Sequence, residues 1–325
     1  MSKQVYNRFF DEEKWLKVNK SNKDAMEDFL LELKSQRKSD KTIYQYKNDL
    51  RIFFIWILDT YDNVPVHKLK KKQLRNFILY LSDLGMSSNR VNRMKSTCSS
   101  FLTYLEDDED SEVEMNYMSK VKSVQKEMVR EIVFLTTEEV LIIYNELMSQ
   151  EKYRDALLIA LSFESLARRF EIYQLKVEDI DINRSITKNK VRGKRGKTFN
   201  LFYFNKTKEA YTKYMETRND NNENLWVDKN GKSIGYEALY DIVVNCREIL
   251  FKHTGEMKYF NNHSFRHSGA QMYKEGKHWV NDKQFTLEEL KVLMHHSDLG
   301  TTSSYLKSMD NEIILNAFGL SEDNQ

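Results

Sequence analysis

The chain has a single proline, Pro65, and only ten glycines in 325 residues. Proline and glycine are the residues that most strongly interrupt helices, so long segments are left without a helix breaker. In these segments leucine, isoleucine and phenylalanine recur at the three- to four-residue spacing of a helix with one buried face. The sequence therefore predicts a mainly α-helical protein.

Length and charge indicate two domains. A chain of 325 residues exceeds the usual size of one compact domain. Residues 106–114 (EDDEDSEVE) carry seven acids in nine positions, and like charges in sequence favour an exposed linker. We therefore expect an N-terminal arm at 1–20, a helical domain at 21–106, a linker at 107–133 and a second domain at 134–325.

Four amphipathic segments follow one another in the first domain. They begin near residues 23, 40, 72 and 88 and end near 35, 57, 82 and 105, which predicts a small four-helix bundle. A single surface charge is usually only solvated, but a basic cluster spread over several helices is better explained by phosphate binding. The candidate DNA-binding residues of this domain are Lys70, Lys71, Lys72, Arg90, Arg93 and Lys95.

The second domain is predicted to be mixed α/β. Helices are expected at about 137–148, 153–165, 171–175, 206–216, 236–251, 264–274 and 287–294, with a short one carrying Tyr305 and a last amphipathic piece at 311–318. The only convincing strands, 185–192 and 198–204, flank the sequence GKRGK, whose glycines permit a tight turn. This hairpin would have a basic tip, in which Arg192, Arg195 and Lys197 are candidate DNA-binding residues.

Several classes of protein are disfavoured. Cys98 and Cys246 lie far apart and are most simply free buried thiols in a reducing compartment, and no metal-site spacing includes them. No signal-like N-terminus and no run of about twenty apolar residues is present, so we expect a cytoplasmic protein. The net charge of +2 does not by itself indicate a partner, although charges of each sign can still segregate into faces.

Residues able to hold and attack a phosphodiester recur in the second half of the chain. Arg168 is followed three residues later by Glu171, Lys194 stands in the basic hairpin, and His263 precedes Arg266 by three residues. His296 and Tyr305 follow, nine residues apart. Their order and spacing resemble the tyrosine recombinase (phage integrase) family, with six motifs in register. The resemblance covers about residues 23–320, since the helical bundle also looks like the family's core-binding domain.

The resemblance implies a fold and an activity. It implies a SAM-like four-helix core-binding domain followed by a mixed α/β catalytic domain with a small β-hairpin. It also implies metal-independent cutting and rejoining of duplex DNA through a 3′-phosphotyrosine, without a cofactor. The protein would act on inverted or repeated sites as a dimer to tetramer, in the integration or excision of a phage or mobile element.

The residue roles follow from the resemblance and from their chemistry. Arg168 and Arg266 would hold the non-bridging phosphate oxygens with planar, permanently charged forks. Tyr305 would attack, His263 would take its proton, and His296 would bond the phosphate. Either Lys194 or its competitor Lys197 would protonate the leaving 5′ oxygen. Arg169 would replace Arg168 if the register slipped by one, but Glu171 favours Arg168.

Two positions depart from the family pattern. The family usually has Thr-Gly-Leu before the first arginine and Leu-Gly-His at the later histidine. This chain has Ser165-Leu166-Ala167 and Met294-His295-His296, so a larger residue stands in place of each glycine. His267 and His295 are interpreted as neighbours of the site rather than catalysts.

An alternative function belongs to another class. A phage transcriptional regulator, such as a lysogeny repressor, would keep the recombinase fold and bind operator DNA without strand exchange. Residues 311–318 would dock on a neighbouring subunit or pack on their own domain.

Overall fold

The computed structural model describes residues 9–125, 132–296, 298–303 and 306, with Arg195 described by its backbone alone. The chain forms two compact units, one from Met1 to Arg130 and one from Glu131 to Gln325. Each unit has its own hydrophobic core.

The first unit has five α-helices among the described residues: α1 (Glu12–Lys17), α2 (Lys20–Ser35), α3 (Asp40–Thr60), α4 (Lys71–Asp83) and α5 (Ser88–Asp107). The side chains of Asn19, Ser39 and Ser87 cap α2, α3 and α5 by accepting the backbone N–H three residues ahead, as N-cap residues do. Helices α2 to α5 correspond to the four amphipathic segments, and their apolar faces meet around Phe53 and Phe101.

Two segments of this unit are more ordered than expected. The predicted arm contains α1, and Trp15 packs against the core. In the predicted linker, Tyr117–Lys120 forms a 3₁₀ helix, and Val113, Met118 and Val121 are buried in the same core. The expectation of an exposed linker was wrong for this stretch, because Val113 among the acids, and Met118 and Val121 after them, anchor it to the bundle while most of the carboxylates stay outside.

The second unit is built around one buried helix. Its described helices are α6 (Thr137–Ser149), α7 (Tyr153–Ser165), α8 (Arg169–Tyr173), α9 (Asn205–Thr217), α10 (Ala238–Thr254), α11 (Asn262–Glu275), α12 (Leu287–Leu293) and α13 (Leu299–Ser303). Every residue from Ala156 to Ser165 is buried, and α7 packs against α6, α9 and α11. A helix that is apolar all round is stable only inside a core, which is why the apolar run at 156–163 becomes the centre of the unit.

The hairpin is present but its regular strands are shorter than predicted. Strand β1 (Val191–Arg192) pairs antiparallel with β2 (Thr198–Phe199), and Lys194–Gly196 forms a 3₁₀ turn at the tip. Pairing resumes only at an isolated bridge between Ile186 and Phe202. The predicted strands 185–192 and 198–204 were therefore too long.

Side chains supplement the backbone hydrogen bonds in that region, where the N–H of Thr187 donates to the Leu201 carbonyl at 2.9 Å. The hydroxyl of Thr187 accepts the N–H of Leu201 at 3.0 Å, and the amide of Asn200 donates to the carbonyl of Thr187 at 2.7 Å. Beyond them, the buried carboxylate of Glu164 accepts the N–H of Phe204 at 2.6 Å. Such bonds satisfy the backbone without a regular strand, and they hold Glu164 toward the start of α9.

Some predictions fall on other parts of the chain. Tyr305 and residues 311–318 lie outside the described residues. Both cysteines are buried free thiols, as predicted. Among the described helices, none combines the length and apolar character needed to cross a membrane.

His278 makes the stability of the second unit depend on pH. Its ring lies between Tyr273, at 3.7 Å, and Phe163, at 4.3 Å between ring centroids. The N–H of Val280 points at Nδ1 over 3.2 Å, so Nδ1 accepts and Nε2 carries the hydrogen that reaches the Phe163 carbonyl at 3.2 Å. Burial lowers the pKa of His278 to about 3, because a charge would be desolvated between the rings.

We expect acid to destabilise this unit through His278. The unfolded chain binds a proton near pH 6.5 and the folded chain does not, so stability falls as pH drops through 6.5 toward 3. Between pH 7 and pH 5 the loss from this residue is about 2 kcal/mol. Urea unfolding followed by tryptophan fluorescence measures the free energy of unfolding at each pH. The variant His278→Phe keeps a ring but cannot titrate, so its loss of stability between pH 7 and pH 5 should be smaller by about 2 kcal/mol. Equal pH slopes for the two proteins would contradict the expectation.

Candidate active site

Arg266 is the centre around which the candidate site is built. Helix α11 begins after Asn261, whose side chain caps it, and this start places His263 and Arg266 one turn apart on one face. The Arg266 side chain is fully buried. Its Nη1 donates to the carbonyl of Leu166, and its Nη2 donates to the carbonyl of Met294 at 2.8 Å. One guanidinium thus joins α11 to the loop after α7 and the turn after α12.

His296 contacts this guanidinium directly. Its Nε2 is 2.7 Å from Nη2 of Arg266, and its Nδ1 is 3.0 Å from the hydroxyl of Thr302 on α13. A guanidinium can only donate, so Nε2 accepts and the hydrogen of the neutral ring is on Nδ1. In this arrangement His296 orients Arg266, a contact that the sequence did not indicate.

Arg168 is oriented by Glu171, as the spacing suggested. Its Nη1 lies 2.9 Å from one Glu171 carboxylate oxygen, and its backbone N–H donates to the other at 2.7 Å. Glu171 is buried, whereas the Arg168 side chain is one quarter exposed. The alternative, Arg169, points elsewhere: it stacks on Tyr236 at 3.9 Å and pairs with Glu237 at 3.2 Å.

Three histidines near the two arginines have lowered pKa values. Loss of ring hydration is the largest cause for all three, with His263 still exposed at the surface, and the charges of Arg266 and Arg168 act in the same direction; the pKa values of His263, His295 and His296 each fall to about 4. A base must be unprotonated to accept a proton. All three rings are therefore neutral at pH 7, and both arginines lie within their electrostatic reach.

The hairpin carries the candidate lysines at the surface. Lys194, Lys197 and Arg192 are exposed. Gln174, just after α8, fastens β1: its amide donates to the Arg192 carbonyl, and its oxygen accepts the Arg192 N–H, both at 2.9 Å. The structure thus brings Arg168, His263, Arg266 and His296 together and leaves the lysines at an exposed tip.

The two departures from the family pattern lie at strained positions. Leu166 has a φ angle of 53° and His295 one of 55°, in the left-handed region that glycine adopts without strain. Leu166 contributes one of the two carbonyls that accept hydrogen bonds from Arg266, and His295 directly follows Met294, which contributes the other. The missing glycines could be recognised in the sequence, but the contacts that the side chains of Leu166 and His295 make could not.

The candidate DNA-binding residues of the first unit differ in their surroundings. Lys70, Lys71 and Lys72 are exposed at the start of α4, and the amine of Lys95 lies 3.3 Å from the Ser123 hydroxyl. Two arginines on α5 share a buried partner. Arg90 and Arg93 approach the carboxylate of Asp49 at 2.9 and 3.4 Å, so part of their charge balances a buried anion rather than facing solvent.

Comparison with known proteins identifies the family. The phage integrase family model matches residues 133–312, and the model of the phage integrase N-terminal SAM-like domain matches residues 26–109. The chain belongs to the phage integrase family. The predicted fold, mainly helical with a SAM-like first domain and a small two-stranded sheet in the second, is confirmed.

Relatives of this integrase-family chain span nearly its whole length. It is 25% identical to the SPbeta prophage-derived recombinase-like protein YomM of Bacillus subtilis (strain 168), over 93% of this chain and 91% of the relative. It is 28% identical to the tyrosine recombinase XerC of Thermodesulfovibrio yellowstonii, over 85% and 89%.

Solved structures share the fold at low sequence identity. A lambda integrase dimer bound to a COC′ core site superposes with a TM-score of 0.66 at 16% identity, covering 87% of this chain and 76% of that one. The site-specific recombinase XerH bound to palindromic difH has a TM-score of 0.64 at 17% identity, covering 85% and 78%.

Proposed function

We propose that this phage integrase family member is a site-specific recombinase that cuts and rejoins duplex DNA through a 3′-phosphotyrosine. The observation that carries the proposal is the 2.7 Å contact of Arg266 with His296, with Arg168 and His263 within electrostatic reach, so that three separated segments of the chain converge. Its relatives include XerC recombinases and a prophage-derived recombinase-like protein, and this supports integration or excision of a phage or mobile element.

The arginines would stabilise the charge that develops at phosphorus. Arg168 reaches the surface while Glu171 holds its orientation, and Arg266 is fixed from three sides. Preoriented charges cost no reorganisation when the transition state forms. The planar fork of Arg168 can face the non-bridging oxygens of a phosphate, and the buried Arg266 contributes its permanent positive charge.

The proposed reaction balances two protons. The hydroxyl of Tyr305 attacks phosphorus, the neutral ring of His263 takes the phenolic proton, and the bond from phosphorus to the 5′ oxygen breaks. Lys194 or Lys197 supplies the proton that the departing oxygen needs. Attack by the 5′ hydroxyl of another strand then reverses these steps. No external energy source is required, because the phosphotyrosine ester conserves the energy of the broken phosphodiester bond.

The first unit would hold the DNA backbone. Lys70, Lys71 and Lys72, exposed at the start of α4, would neutralise phosphates together with Lys95, Arg90 and Arg93 of α5, and such contacts would make affinity depend steeply on salt. At the hairpin, Arg192 and Arg195 would add to them. We propose that the protein works in the cytoplasm as a dimer to tetramer on repeated or inverted sites; lambda integrase has been solved as a dimer on a core site and as a tetramer on a Holliday junction.

A repressor without strand exchange is not favoured. The relatives named above are recombinases or recombinase-like proteins. The candidate site also keeps its paired Arg168 and Glu171 and the buried contact between Arg266 and His296.

Trapping the covalent intermediate tests the proposal. The substrate is a nicked duplex carrying a site selected from random DNA by binding, so that the fragment released by cleavage diffuses away. We expect a covalent protein–DNA adduct whose peptide maps to Tyr305, and none with Tyr305→Phe. Specific binding that persists in the absence of any adduct would instead support the repressor, and an adduct on another tyrosine would refute the assignment of Tyr305.

A further inference from the structure

His295 keeps a side chain where the backbone favours glycine. Its φ of 55° is strained for an L residue, and the family pattern has glycine at this place. It directly precedes His296, which contacts Arg266 at 2.7 Å. Side chains held in strained backbone positions cluster at functional sites, so the contacts of this ring are informative.

The His295 ring lies flat on Phe199. The ring centroids are 3.7 Å apart and the planes differ by 20°. Nε2 is buried and has no hydrogen-bond partner within the part of the chain that the structure describes. Burial and the nearby charges of Arg266 and Arg168 lower the pKa of His295 to about 4, so at pH 7 a neutral imidazole stacks on the phenyl ring.

Phe199 in turn supports the hairpin tip. It belongs to β2, and its ring packs under Gly193 so closely that a Cβ added there would come within 2.6 Å of Phe199 Cε1. Gly193 directly precedes Lys194, and its N–H donates to the Lys197 carbonyl at 2.7 Å. The Phe199 ring therefore lies beneath the turn that presents both candidate lysines.

We propose that His295 is a positioning residue: its stack on Phe199 holds the hairpin lysine at the reacting phosphate beside His296 and Arg266. The inference rests on the proposed function and extends it to a residue that the family pattern does not use. Gln174 fixes β1 through the backbone of Arg192. The stack of His295 on Phe199 fixes β2, so each of the two strands is held by a residue outside the hairpin.

The chemistry of the leaving group isolates this role. A 5′ oxygen leaves well only if the lysine protonates it. A sulfur placed at the same bridging position leaves as a thiolate, because thiols ionise near pH 8.5. A suicide substrate with bridging 5′ sulfur therefore reports cleavage that no longer needs the lysine.

We expect His295→Gly and Phe199→Leu to slow single-turnover cleavage of the oxygen substrate about 10- to 100-fold, since misplacing a reacting group by 1 Å can cost about 100-fold. On the sulfur substrate they should remain within about threefold of the wild type. Alanine at the acting lysine, Lys194 or Lys197, should show the same pattern. The double variant should be no slower than the slower single one, as expected for two residues in one contact.

Glu151→Gly is the matched control for relief of backbone strain. Glu151 is exposed, follows α6 and has a φ of 56°, so glycine relieves the same strain away from the hairpin. We expect its cleavage rate on both substrates to equal that of the wild type.

Two results would overturn the positioning role. One is wild-type cleavage of the oxygen substrate by His295→Gly; the other is an equal slowing of both substrates, which would indicate general damage to the site. If the wild type forms no adduct with either substrate, the proposed function itself fails. That outcome is distinct, because the positioning role can fail only where the wild type cleaves.

Discussion

Arg266→Lys should slow formation of the covalent protein–DNA complex by about 100- to 1,000-fold, the usual cost of losing one preoriented donor to a developing charge. Lysine keeps the positive charge but has no planar fork. It cannot reach the carbonyls of Leu166 and Met294 and the ring of His296 together, as Arg266 does. The rate is measured in a single turnover with saturating protein, so that weaker DNA binding does not obscure it.

Arg218→Lys provides the matched control. The Arg218 side chain is 2% exposed and its guanidinium holds Asp220 at 2.8 Å, so it too is a buried, fully engaged arginine of the second unit. This variant should lose stability to a similar degree and keep its cleavage rate. If both variants lost cleavage in proportion to their loss of stability, Arg266 would be a structural residue and its assigned role would be wrong.

Gly269→Ala should lower the free energy of unfolding of the second unit by roughly 3 kcal/mol, at the upper end of the usual cost of overpacking a core. A Cβ on Gly269 would come 2.5 Å from the Phe163 carbonyl oxygen and 2.5 Å from Cδ2 of Leu166. The carbonyl belongs to the central helix α7 and cannot move aside cheaply. Leu166 also presents its own carbonyl to Arg266, so cleavage should fall together with stability.

Gly235→Ala is the comparison for this change. A Cβ on Gly235 meets no atom within 4 Å, and its stability should stay within about 0.5 kcal/mol of the wild type, as for most surface substitutions. Urea unfolding measures both variants. Equal stabilities would show that α7 and α11 can separate without cost, contrary to the packing described.

Local sequence rules predicted the helices well, because periodicity and capping act within one segment. Ser39 and Thr136, for example, cap α3 and α6 through bonds to residues three positions ahead. The rules failed where distant residues intervene. The hydroxyl of Thr187 supplements the backbone bonding to Leu201, and Trp15 orders the arm only because a core lies beside it.

The candidate site could be predicted in part for the same reason. The pairing of Arg168 with Glu171 is local and its three-residue spacing was visible. The contact of His296 with Arg266 spans 30 residues, and the stack of His295 on Phe199 joins a turn to a strand almost one hundred positions earlier. Such contacts depend on how distant segments pack together, and residue spacing within one segment does not predict that packing.

The position of Arg266 in the chain has a consequence for synthesis at the ribosome. Its partner carbonyls come from Leu166, made long before it, and from Met294, made after it. A growing chain that has not yet reached residue 294 lacks the last partners of this guanidinium. Since a buried charge without partners is costly, such a chain cannot settle Arg266 in its final place. A chain that ends before residue 294 therefore lacks the fixed Arg266 that the proposed reaction requires.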